Sequence, residues 1–98
     1  MADPRTILNE LNNALFKVGL DHMFSVSDLK ITAVENTANG CTMVDFLVEL
    51  YDNHPSTAEK QAIERDIKFA LNDTMYYKAS YSTFVRNLVI KYVPYRFR

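Results

Sequence analysis

Apolar positions along this chain recur in two periods, and the change from one to the other marks out its elements. Ile7, Leu8, Leu11, Ala14, Leu15 and Val18 recur at intervals of three and four, with Asn9, Glu10, Asn12, Asn13 and Lys17 mostly opposite, which predicts a helix with one apolar face. Asp3 before Pro4 suits its start, because a carboxylate can accept a free backbone N–H and proline tolerates the first helical position. Gly19 suits its end. Between residues 20 and 28, Leu20, Met23, Phe24 and Val26 follow neither period and read as a packed connection. From Leu29 the spacing changes to two: Leu29, Ile31 and Ala33 alternate with Lys30 and Thr32 and predict a strand. Asn36-Thr37-Ala38-Asn39-Gly40 then reads as a turn, since Asn and Gly adopt positive φ at low cost. Val44, Phe46, Val48 and Leu50 predict a second strand over Thr42 to Tyr51, with Asp45 and Glu49 on its other face. The two strands make a hairpin with one apolar side.

Ser56 and Glu59 have capping-box spacing, and Ala62, Ile63, Ile67, Ala70 and Leu71 form an apolar stripe, predicting a second helix over 57–72. A strand rich in β-branched and aromatic residues follows over Thr83 to Val93, stopped by Pro94. The order helix, strand, strand, helix, strand predicts a single α+β domain over 1–98. Its expected form is a two-layer sandwich, with two helices on one face of a mainly antiparallel sheet. The Val44, Phe46, Val48 and Leu50 face is expected to meet Leu11, Leu15, Ile63 and Ile67.

Composition narrows the class. A chain of 98 residues with 48% hydrophobic and 12% aromatic side chains has the profile of one folded domain, with no second core. Its net charge of −1 provides no global attraction to nucleic acid or to an anionic membrane. The single Cys excludes an intrachain disulfide. No run approaches the roughly 18–20 apolar residues of a membrane span, and residues 1–6 lack a signal-peptide core, so no membrane insertion of this segment is expected.

The run Gly40-Cys41-Thr42-Met43-Val44-Asp45-Phe46, together with this order of elements, resembles the SEA domain. That family is an extracellular, ferredoxin-like module of mucins and other cell-surface proteins. In it a Gly-Ser-Val-Val-Val-like run starts the strand and an Asp-Phe pair often follows. The helix opening Ser56-Thr57-Ala58-Glu59 and ending at Leu71-Asn72 resembles the family's second helix, and Leu88-Val89-Ile90 its closing strand, over residues 7–93. The resemblance implies a ferredoxin-like fold and a non-enzymatic interaction or spacer role, membrane-proximal and extracellular, within a larger protein. Two departures stand out. The family has a strand before its first helix, whereas six residues precede Ile7 here; that strand would be missing, supplied by a partner or replaced. Cys41 also stands where the family has its nucleophilic Ser. Some members cleave themselves at the Gly-Ser bond, which makes Gly40 and Cys41 the implied self-cleavage position, by an N-to-S acyl shift. No His or basic run near Cys41 in sequence would activate the thiol, so it is expected to be an inert packing residue.

Other chemistry is sparse. His22 and His54 fit no metal-ligand spacing, and the chain lacks a Ser/His/Asp order, a phosphate-binding Gly-rich loop and a nucleotide fingerprint, so no metal, no cofactor and no enzymatic activity are expected. Asn72-Asp73-Thr74 is an N-glycosylation sequon, which gives Asn72 as a candidate site in a secreted context. Lys91, Tyr92, Tyr95, Arg96 and Arg98 interleave basic and aromatic side chains, the combination that binds single-stranded nucleic acid. They carry the alternative reading, an intracellular nucleic-acid-binding or assembly protein. With the chain slightly acidic, the expected partner is instead another protein or a second copy, joined as a homodimer through an open strand edge.

Overall fold

A computed structural model of the chain describes residues 4–52 and 55–94. Helix α1 (Pro4–His22) leads into strand β1 (Ser25–Asn36), then β2 (Thr42–Tyr51), helix α2 (Thr57–Lys78) and β3 (Thr83–Val93). The predicted cap Asp3 lies outside the described residues.

Helix α1 does not end at Gly19. It runs to His22 and closes with Met23 at φ 63°, while the Phe24 N–H reaches back to the Gly19 carbonyl at 3.1 Å, a Schellman closure. Gly19 is needed for space: a Cβ there would sit 2.6 Å from the Phe24 carbonyl oxygen and 3.2 Å from its ring. The sharp reversal brings Phe24 into the core and starts β1 at Ser25, four residues before the predicted start.

β1 carries two bulges, with register shifts between Val26 and Asp28 and between Ile31 and Ala33, and the first of them breaks the alternation before Leu29. Each inserts one residue, so Val26, Leu29, Ile31 and Val34, at spacings of three, two and three, all pair with the helix-facing residues Leu50, Val48, Phe46 and Val44 of β2. Ala33 pairs with Asp45 and therefore belongs to the opposite face, not to the face of Leu29 and Ile31 as the alternation suggested.

The sheet has the order β1-β2-β3, with β1 antiparallel and β3 parallel to β2, so it is mixed rather than mainly antiparallel. The length of α2 explains this. Its 22 residues span about 33 Å, the length of the ten-residue β2, so the chain is carried back to where β2 began. There the Thr42 N–H donates to Ser82 at 2.9 Å and β3 sets off in the same direction. A helix stopping at residue 72, as the apolar stripe suggested, would fall about 9 Å short. Ser56 caps α2: its Oγ accepts the Glu59 N–H at 3.2 Å and donates to the Glu59 carboxylate.

One core joins both helices to one side of the sheet. Leu11 and Leu15 of α1, and Ile63, Ile67, Leu71 and Met75 of α2, are buried with Val44, Phe46, Val48 and Leu50 of β2, Leu29 of β1 and Val85 of β3.

Candidate functional site

The hairpin tip is built on Thr37. Its N–H donates to the Cys41 carbonyl at 2.8 Å, its carbonyl accepts the Gly40 N–H at 3.1 Å, and its Oγ1 accepts the Cys41 N–H at 3.1 Å. Gly40, at φ 87°, is the residue that needs positive φ; Asn39 does not adopt it. This is a three-residue loop ending in a left-handed glycine, a common way of closing a hairpin with a bulge. Cys41 is half-buried, and its peptide group is held by Thr37. Away from the hairpin tip, His22 Nε2 lies 2.7 Å from Asp66 Oδ2 and its ring stacks on Phe24. His22 therefore pins the end of α1 to α2, and its hydrogen bond, with Arg65 beside it, holds the Asp66 carboxyl below its ordinary value. His54 lies outside the described residues. Among the described residues no group of three or more His, Cys, Asp or Glu could hold a metal ion.

A polar cluster that the sequence pattern did not reveal crosses the sheet face away from the helices. A bulge in β3, where Val44 pairs with Val85 but Asp45 with Asn87, leaves Arg86 as the extra residue. Its guanidinium grips Asp45 in bidentate fashion, at 2.9 and 2.8 Å, and its third nitrogen meets Glu35 of β1. Asn87 adds a bond to Asp45 at 3.2 Å. The Arg86 hydrogen bonds hold the Asp45 carboxyl below its ordinary value, and Asp45 in turn raises the guanidinium pKa. With two carboxylates on one guanidinium the charge is satisfied internally; the cluster is a clamp across three strands.

The sequence-derived C-terminal residues do not form one platform where they are described. Lys91 pairs with Glu49 on the face away from the helices, whereas Tyr92 turns to the helix side, with Lys60 Nζ 5.2 Å from its ring centroid. Burial and the nearby Asp52 and Glu64 raise the Tyr92 pKa. Tyr95, Arg96 and Arg98 lie outside the described residues. Asn72 sits within α2, half-buried, and its Oδ1 accepts the Val85 N–H of β3 at 2.8 Å.

The remaining candidate is a surface. β1 is an edge strand of the sheet, twelve residues long. On its helix side Ile31 and Val34 remain 46% and 60% exposed. Beside the start of β1, Phe16 and Leu20 of α1 are 64% and 66% exposed and border a concavity of about 390 Å³ with Phe24 and Val26. The signal was available in sequence, since Phe16 and Leu20 lie off the apolar stripe of α1, but the bulges hid the facing of Ile31 and Val34. No described helix is long and apolar enough to cross a membrane. Comparison of the chain with protein-family models, with curated proteins and with solved structures finds no match.

Proposed function

We propose that this chain is a non-enzymatic protein-interaction module that binds through the β1 side of its sheet. The observation that carries the reading is a twelve-residue edge strand whose helix side leaves Ile31 and Val34 uncovered. An exposed edge offers a row of backbone donors and acceptors to an added strand, and apolar side chains beside it supply affinity and register. The resemblance to the SEA domain supports a ferredoxin-like, two-layer classification and a place in the extracellular part of a larger protein. β2 and β3 are direct neighbours, so a strand from outside would join at an outer edge and not between them.

Peptide display against the immobilised domain, followed by amide hydrogen exchange on the bound complexes, tests the reading. Protection over residues 26–36 is expected; binders that consistently protect another surface would sink it. Titration with a labelled single-stranded oligonucleotide is the counter-test. Saturable micromolar binding that disappears in Arg96→Ala/Arg98→Ala would install nucleic-acid binding instead.

A further inference from the structure

We infer that the partner of the β1 edge is a second copy of this chain, paired antiparallel about a two-fold axis passing between Thr32 and Ala33. The inference rests on the interaction role proposed for that edge. The first support is the bulge itself. A bulge sets two residues of one strand against one of a regular neighbour, as β1 does against the unbulged β2, and it shifts the face taken by the residues beyond it. An axis between Thr32 and Ala33 sets bulge against bulge, so both strands carry the same count of residues and stay in step.

Charge and apolar surface agree with the same axis. Residues opposite each other in an antiparallel pair share a face. Here Glu35 of each copy, which also meets its own Arg86, falls opposite Lys30 of the other, which lies 3.5 Å from its own Asp28; both are on the face away from the helices, where they pair with Met43 and Leu47 of their own sheet. On the helix side Ile31 of each copy falls opposite Val34 of the other, so the apolar side chains left exposed in one chain cover those of its twin. Other axes lose these matches. Centring on Lys30 sets that ammonium against itself; centring on Leu29 matches Asp28 to Lys30 but leaves Ile31 and Val34 without apolar partners and both bulges opposite unbulged backbone. Two-fold pairing is also the commonest symmetry of small assemblies.

The test is sedimentation over about a hundredfold range of concentration, where mass action should raise the apparent mass toward twice the 11.3 kDa of the chain. Lys30→Glu and Glu35→Lys, each confirmed as folded by circular dichroism, are each expected to weaken the dimer about tenfold or more by putting like charges in register twice. Mixed in equal amounts, the two variants should pair again, since every cross-strand contact is then between opposite charges. Ile31→Asp, at an exposed position clear of the Arg86 cluster, reads the same axis and should abolish the dimer. A dimer that survives Ile31→Asp, or charge variants that fail to recover on mixing, would overturn the register. A chain that stays monomeric throughout overturns the self-partner; the interaction reading then stands or falls separately on whether selected peptides protect residues 26–36.

Discussion

The two outer edges of this sheet are finished differently. At β3 the overlying helix comes down onto the strand: Asn72 of α2 takes the Val85 N–H, and the Arg86 bulge turns a guanidinium across the sheet to Asp45 and Glu35. At β1, Ile31 and Val34 are left in solvent. Both edges are bulged, so a bulge by itself does not distinguish a closed edge from an open one. What distinguishes them is the helix side: there Val85 of β3 is buried and its N–H is bonded to Asn72, whereas Ile31 and Val34 of β1 are exposed; on the other face β3 leaves Phe84 and Val89 exposed as well.

The largest expected effect tests the strand that both edges depend on. Phe46 is almost fully buried in β2, and Phe46→Ala should cost about 3–5 kcal/mol by denaturant unfolding, through lost transfer energy and the cavity left behind. A loss under about 1 kcal/mol would mean that the core does not centre on β2. Next in size, Asn72→Ala should cost about 1–3 kcal/mol, because the part-buried Val85 N–H loses its acceptor. Its amide should then exchange faster than in the parent, which would make the β3 edge resemble the β1 edge. Unchanged exchange at Val85 would show that the cap is not what closes β3. On the open side, Ile31→Thr should change monomer stability by less than about 0.5 kcal/mol, as expected for a side chain whose own chain does not cover it. A loss of several kcal/mol would place Ile31 inside the fold and remove the contrast.

The smallest effect concerns acid. The Asp45 carboxyl is held below its ordinary value in the folded chain by Arg86, so its contribution is fully present above the unfolded value of about 4 and is lost as pH falls through the folded value. Asp45→Asn should therefore flatten the decline of stability with acidification over that window while leaving the neutral-pH fold intact. An unaltered acid profile would deny the clamp any energetic role.

Legibility in the sequence followed regularity of the backbone. β2 alternates without a bulge, and its bounds and apolar face were readable; the Ser56 cap fixed the start of α2 in the same way. β1 was misread at its start and at Ala33 because two single-residue insertions change the face without changing composition. The end of α2 was misread because Met75, buried in the core one turn beyond Leu71, extends the apolar stripe past residue 72. The parallel pairing followed from that same length. Arg86 went unnoticed for the reason Ala33 was misplaced: a bulge is a property of two strands together, and one strand's pattern does not record it. The candidate surface was legible in part: Phe16 and Leu20 stand off the apolar stripe of α1, whereas the facing of Ile31 and Val34 is set by the bulges.

The parallel neighbour of β2 also fixes an order of assembly. The hairpin closes over a few residues, whereas Thr83 must find Thr42 across the whole of α2, so the entropy of closure is larger and the contact later. A chain emerging from the ribosome can complete its hairpin while β2 still has a bare second edge, and that edge disappears only when the last strand has been made. Strand β3 therefore acts as the closing piece of the sheet. A transcript truncated before Thr83 would release a protein with two bare edges instead of one, and its fate would be decided by aggregation rather than by partner choice.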